Sequence, residues 1–102
     1  MLEIRPNCEC CDKDLVPEST EAMICSYECT FCNKCVEEVL ENVCPNCAGG
    51  FMPRPVRPKV ARRDGVSIEH QSVSTNRVNL KYSIEELNVF SMKYRQIEPE
   101  QR

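Results

Sequence analysis

Nine cysteines occur in this 102-residue chain, and all of them lie between residues 8 and 47. Eight of them form closely spaced groups: Cys8-x2-Cys11, Cys25-x3-Cys29-x2-Cys32-x2-Cys35 and Cys44-x2-Cys47. A gap of two residues lets both thiolates of a pair reach one ion while loop amides donate to the sulfurs. Eight thiols at this spacing predict two tetrahedral metal sites.

Zinc is the metal that such thiol groups favour, because Zn²⁺ prefers a tetrahedral shell of thiolates and has no redox chemistry of its own. Structural iron–sulfur binding is the alternative. The odd number of thiols and the lack of a secretory signal favour a reducing, cytoplasmic location over a disulfide framework. The sequence therefore predicts two Zn²⁺ ions as structural cofactors.

Catalysis is not expected. A closed Cys₄ shell leaves no position for a substrate or an activated water. The single histidine, His70, is far in sequence from any cysteine pair, so no nucleophile, base and orienting group can be assembled. We therefore predict that the chain is not an enzyme.

The elements that position the thiols must be short. A segment of about 45 residues buries too little apolar surface to offset its conformational entropy, so metal binding has to supply the difference. The segment between Cys35 and Cys44 carries apolar residues at helical spacing, namely Val36, Val39, Leu40 and Val43. We expect a short helix there.

The order of the groups (a pair, a long loop, two ligands, a pair, a short helix and a last pair) resembles the RING finger over roughly residues 7 to 48. The resemblance implies a small α+β zinc-stabilised domain in which alternate groups share an ion. The first site would then consist of Cys8, Cys11, Cys32 and Cys35, and the second of Cys25, Cys29, Cys44 and Cys47. Spacing alone also allows sequential pairing, with Cys8, Cys11, Cys25 and Cys29 on one ion and Cys32, Cys35, Cys44 and Cys47 on the other. Glu9 and Ala48-Gly49-Gly50 stand where ubiquitin-ligase RING fingers usually carry apolar and basic residues, so no ligase activity is expected.

A second resemblance is carried by the opening Met1-Leu2-Glu3-Ile4-Arg5-Pro6-Asn7-Cys8-Glu9-Cys10-Cys11, by Ile24 to Cys32 and by Cys44-Pro45-Asn46-Cys47. These stretches resemble a family of short bacterial cysteine-rich proteins known as a domain of unknown function. The resemblance implies a bacterial cytosolic zinc protein and supplies no activity.

Cys10 is the ninth thiol and has no partner in this scheme. It could be a spare thiol, or it could replace Cys8 or Cys11 as a ligand. The second role would make it the sensitive point of a redox or zinc sensor, since a thiol beside a metal can have a lowered pKa.

Charge divides the chain into unlike parts. Residues 1–47 hold ten acids and three bases, whereas the rest of the chain holds ten bases and six acids. We predict a two-zinc module at 1–50, a proline-rich connector and polar loop at 51–82, and a C-terminal helix and tail at 83–102. Five bases precede the first acid of the connector: Arg54, Arg57, Lys59, Arg62 and Arg63. They could contact nucleic acid, but their charge favours a strap lying along the acidic module.

The sequence of the C-terminal part, residues 83–102, predicts one amphipathic helix from about residue 84 to residue 97. Ser83 and Glu86 form a capping-box pattern, and Pro99 ends the apolar repeat of Leu87, Phe90, Tyr94 and Ile97. A helix this short is marginally stable alone, so its apolar side must pack on another surface. That surface is the zinc module, a second copy of the chain or another protein. No stretch is apolar enough to cross a membrane. The sequence thus favours a zinc-held protein-interaction module.

Overall fold

A three-stranded sheet and two helices make up the regular structure, and the computed structural model describes all 102 residues. In chain order the elements are β1 (Ala22–Ile24), β2 (Thr30–Cys32), α1 (Asn33–Cys35), a π-helical turn (Val36–Leu40), β3 (Met52–Pro53), α2 (Ile84–Tyr94) and a final 3₁₀ turn (Pro99–Gln101). The α+β class predicted from the sequence is confirmed.

The sheet has the order β2-β1-β3, with both pairings antiparallel. Ala22 lies opposite Cys32 across the first pairing, and Ile24 lies opposite Thr30. The tight connection between β1 and β2 runs through Glu28, whose positive φ of 68° allows the reversal. The hairpin therefore carries thiols in its turn and delivers another at the end of β2.

The predicted helix between the third and fourth cysteine groups is present as α1 and the π turn. Val36, Leu40 and Val43 of the apolar stripe are buried, and Val39 is half-buried. The helix ends at Glu41, which has a left-handed conformation that redirects the chain toward the last cysteine pair.

Cysteines form much of the interior. Six of the thirteen residues in the main buried cluster are cysteines. The aromatic part of this cluster is an edge-to-face pair between Phe31 and Phe51, with ring centroids 5.3 Å apart. Ordinary apolar side chains therefore supply only part of the core, as the composition predicted.

The connector runs back along the N-terminal segment. After β3 it forms no regular element until α2. It is nevertheless tied down, since the Ser74 amide donates to the Ile4 carbonyl at 2.9 Å and the Leu80 amide to the Glu9 carbonyl at 2.8 Å. The buried Asn7 side chain also donates to the carbonyl of Val78 at 3.0 Å.

Helix α2 begins with the predicted capping box. The Glu86 amide donates to the Ser83 hydroxyl at 3.1 Å, and the Ser83 amide donates to the Glu86 carboxylate at 3.0 Å. The helix ends at Tyr94, three residues earlier than the predicted limit, because the chain turns at Ile97 before Pro99. Leu87 is buried against the module, so α2 docks on its own chain.

Candidate metal centre

The first thiol cluster consists of Cys8, Cys11, Cys32 and Cys35, whose sulfur atoms all lie within 4.8 Å of one another. A tight loop supplies the first two, since the Cys8 amide donates to the Lys13 carbonyl and the Asp12 amide to the Cys8 carbonyl. The end of β2 and the end of α1 supply the other two. These are the four residues that the RING resemblance implied as one site.

The second cluster brings together Cys25, Cys44 and Cys47, again with sulfurs within 4.8 Å of one another. The fourth predicted member, Cys29, lies beside them but outside this tight group. It is buried in the same core cluster as Cys25 and Cys44. The structure therefore assembles four thiols in the first cluster, and three plus an adjoining fourth in the second.

The grouping joins cysteine pairs that are not consecutive in the chain. Cys8 and Cys11 meet the pair that follows the hairpin, while Cys25 meets the last pair. Sequential pairing would instead have brought Cys25 and Cys29 to the first pair. The hairpin explains the alternation, because its turn and its far end lie at opposite ends of strand β2.

One pair of sulfurs in the first cluster has the spacing expected around a tetrahedral zinc ion. Zn–S bonds of about 2.3 Å place neighbouring sulfurs of a tetrahedron about 3.8 Å apart. The sulfurs of Cys11 and Cys32 are 3.8 Å apart. The donor set and the spacing both fit such an ion.

Hydrogen-bond donors surround the sulfurs of the second cluster. The Tyr27 amide donates to the Cys25 sulfur at 3.3 Å, and the Gly49 amide donates to the Cys47 sulfur at 3.4 Å. The side-chain amide of Asn46 donates to the Cys29 sulfur at 3.4 Å. Such donors stabilise thiolates, which are the form that binds metal.

The pKa values show what crowding does to these thiols without a cation. Burial raises the pKa of Cys8 and of Cys25 to about 11. A hydrogen bond from Cys44 lowers the pKa of Cys29 to about 5, and the same bond raises the pKa of Cys44. Cys29 therefore ionises more readily than Cys25 and Cys44, and a cation is needed before all of these thiols can ionise together.

A buried ion pair, not foreseen from the sequence, fixes the first loop to the sheet. Glu9 is only 2% exposed, and its carboxylate accepts from the Arg5 guanidinium and from the Thr30 amide, both at 2.6 Å. Burial raises the pKa of Glu9, against the opposing effect of these two donors. The pair locks the loop of Cys8 onto β2 and so positions two thiol groups relative to each other.

Cys10 lies at the edge of the first cluster. It is half-buried and packs against the core cluster that contains Cys8, Cys32 and Cys35. Burial raises the pKa of Cys10, which is opposite to the shift that favours a reactive thiolate. Its role as an alternate ligand stays a prediction.

The predicted basic surface is smaller than the sequence implied. Arg54 is 4% exposed, and its guanidinium donates to the carbonyls of Arg5 at 2.9 Å and Val16 at 3.0 Å. Arg57 is half-buried and donates to the carbonyls of Leu2 and Gln71. The burial of Arg54 contradicts its predicted role as a phosphate contact.

Three bases of that stretch remain at the surface: Lys59, Arg62 and Arg63. The connector does lie along its own module, as the charge division favoured. Arg54 and Arg57 bind backbone carbonyls and pair with no carboxylate. The ion pairs between connector and module are made farther along by Arg77, to Asp12 at 2.9 Å and to Asp14 at 2.7 Å. Nucleic-acid binding through the remaining three stays a prediction.

The comparisons with known proteins agree with the second resemblance. A family described as "Protein of unknown function (DUF1272)" matches residues 1–57, which is more than half of the chain and includes every cysteine. The chain belongs to this family. An uncharacterized protein of Rhizobium meliloti (strain 1021) is 62% identical over 58 residues, which cover 57% of this chain and 69% of that protein. No solved structure matches the chain.

The structure has no helix with the length and apolar character needed to cross a bilayer. The longest, α2, has 11 residues.

Proposed function

We propose that the chain binds two zinc ions and that these ions hold it in shape as a protein-interaction module. The observation that carries this proposal is the close approach of the four sulfurs in the first cluster, beside a second cluster of similar chemistry. Four converging sulfurs support metal binding, because these thiols can all ionise together only when a cation balances their charge.

One zinc would be held by Cys8, Cys11, Cys32 and Cys35, and the other by Cys25, Cys29, Cys44 and Cys47. The alternation of the pairs supports a RING-like cross-brace. For the second ion, Cys29 has to complete the group of three, and the Asn46 amide already supports a thiolate at that sulfur. When bound, the metal supplies structural cross-links and neutralises thiolate charge.

The proposed role is structural and not catalytic. Four thiolates per ion leave no coordination position for substrate. All nine cysteines are free in the structure, so the eight proposed ligands are available to bind metal. A scaffold of this kind acts through the surface that it holds in place.

Metal content and the cadmium-113 NMR spectrum test the proposal. Protein purified under reducing conditions is expected to contain two equivalents of zinc. After replacement by cadmium it should give two resonances in the range typical of four-sulfur coordination. A compact, reduced protein with far fewer than two equivalents of divalent metal would contradict the proposal, as would a spectrum typical of oxygen or nitrogen ligands.

A further inference from the structure

Helix α2 has a side that the module does not cover. Its buried side contacts the module through Leu87 and Ser91. The uncovered side includes Val89, which is 56% exposed, and Met92, which is 62% exposed. The α2 face, as we call this side, borders a shallow groove of about 360 Å³ lined by Glu85, Glu86, Val89, Phe90 and Lys93.

The α2 face has an acidic residue near one end and a basic residue near the other. Glu85 lies one helical turn before Val89, and Lys93 lies one turn after it. Neither charged side chain has a hydrogen-bond or ion-pair partner in the chain, in contrast to Glu86, which completes the capping box. With a rise of about 1.5 Å per residue, Glu85 and Lys93 stand about 12 Å apart, too far to pair with each other.

We propose that the α2 face is a self-association surface on which a second copy of the chain packs its own α2 in the antiparallel direction. The two-fold axis would pass near Val89. This inference names the partner of the interaction module proposed above and rests on that proposal.

The charge pattern is what selects a second copy as the occupant. In an antiparallel pair centred on Val89, each Glu85 lies opposite Lys93 of the second copy, because both are four residues from the centre. A parallel pair would place like charges together. A two-fold interface requires one patch to be complementary to itself, and the order acidic, apolar, basic along one helix meets that requirement. The opposed helix dipoles add to the attraction.

Sedimentation equilibrium of the zinc-loaded full chain, over about 1 μM to 1 mM, tests the inference. Wild type is expected to dimerise reversibly within this range. Glu85→Lys and Lys93→Glu should each weaken dimerisation by about tenfold, because each places two like-charge contacts in the symmetric pair. The double variant Glu85→Lys/Lys93→Glu should recover most of the wild-type affinity, since it restores opposite charges in reversed order.

Matched controls separate this pairing from net charge. Glu69→Lys and Lys59→Glu make the same changes in charge at exposed sites away from α2, and neither side chain has a hydrogen-bond partner. Both should dimerise as wild type does. Circular dichroism of the same samples checks that α2 remains helical in each variant, because reversing a charge at either end of the helix opposes its dipole. Loss of helicity alone would be greatest in the double variant, so it could not produce the expected recovery.

A monomer at 1 mM would overturn the inference, as would a dimer indifferent to the single reversals or a double variant that stays as weak as the singles. A protein that stays monomeric while binding a different partner through α2 would also overturn it. Zinc content measured on the same samples keeps the two proposals separate. A dimer with the predicted charge dependence and less than two equivalents of zinc would leave this inference standing while refuting the zinc scaffold.

Discussion

Arg54 shows how a charged side chain can serve as an internal clamp. Its guanidinium lies in the interior and joins the connector to the carbonyls of Arg5 and Val16, two points of the N-terminal segment. One nitrogen, Nε, is buried without a partner, and burial lowers the pKa of the side chain. The clamp is therefore held by two good hydrogen bonds at the cost of desolvating a cation.

Arg54→Ala should destabilise the zinc-loaded protein by about 2–4 kcal/mol, because it leaves buried carbonyl groups without donors and opens a cavity. Denaturant unfolding at saturating zinc measures this loss. Arg63→Ala is the control, since Arg63 is exposed and should change stability by no more than about 0.5 kcal/mol. Equal stability of the two variants would rule out the clamp.

Neighbouring thiols should differ sharply in what they contribute to metal binding. Cys8→Ser removes a member of the first cluster, so one of the two zinc equivalents should be lost and the fold loosened. Cys10→Ser is the matched control two residues away and should retain both equivalents. Elemental analysis of the two purified variants makes the comparison. Loss of one equivalent from the Cys10 variant would instead identify Cys10 as a ligand.

At the scale of elements, the β1–β2 hairpin determines which thiols meet. Its turn holds Cys25 and Cys29, and its second strand ends at Cys32, so two cysteine groups close in sequence are sent to opposite ends of a strand. The π turn then separates Cys35 from Cys44 and directs the latter back to the hairpin turn. Three short elements, none stable alone, thus define both clusters.

Helix α2 depends on its cap because it has only 11 residues. Ser83→Ala removes the hydroxyl that accepts from the Glu86 amide and should destabilise the helix by about 1 kcal/mol. Hydrogen exchange at α2 amides should become faster while exchange in the sheet stays unchanged. Ser72→Ala, at an exposed loop position, should leave both unchanged. Equal exchange rates in the two variants would contradict the capping role.

Local signals made part of this architecture predictable. The capping residues Ser83 and Glu86 and the apolar stripe after Cys35 depend on neighbours in sequence, and both are found in the structure. The pairing of β3 with β1 and the burial of the Arg54 side chain depend on contacts between residues some 30 to 50 positions apart in sequence. Neighbouring residues carry no signal for such contacts, so Arg54, which lies in a basic stretch, was interpreted as exposed to solvent. The donor from Asn46 to Cys29 was missed as well, although a polar residue between two closely spaced cysteines is a signal that could have indicated it.

For the molecule as a whole, acid should release the metal. In the metal-free state the pKa values of Cys8 and Cys25 are about 11, so at neutral pH zinc displaces protons from these thiols and its affinity falls as pH falls. Cys29, with a pKa of about 5, adds to this dependence only below that pH. Zinc retained after dialysis at a series of pH values should decrease steadily on acidification. Retention that is independent of pH would argue against thiolate ligands.

The metal-free chain should respond to pH with the opposite sign. A thiol whose pKa is raised by folding contributes stability below its unfolded pKa of about 8.5 and loses that contribution as pH rises toward the folded value. Any residual structure that survives a chelator should therefore disappear between about pH 8.5 and 11. Circular dichroism with chelator across this range measures it. Structure that strengthens with rising pH would refute the assignment of Cys8 and Cys25 as thiols crowded together by folding.

The two clusters are also unequal in their access to solvent. In the first cluster, Cys11 is exposed and borders a groove of about 390 Å³ that Lys13 and Lys34 help to line. In the second cluster, none of Cys25, Cys44 and Cys47 is exposed, and the adjoining Cys29 is buried as well. Lys13 and Lys34 in the groove at Cys11 are offset by Glu21, which pairs with Lys13 at 2.7 Å, and by Glu38, so the difference between the clusters is one of access and not of charge. Metal exchange should therefore be biphasic. A competing thiol should enter first at Cys11 and remove the ion of the first cluster quickly, whereas the second cluster should retain its ion longer.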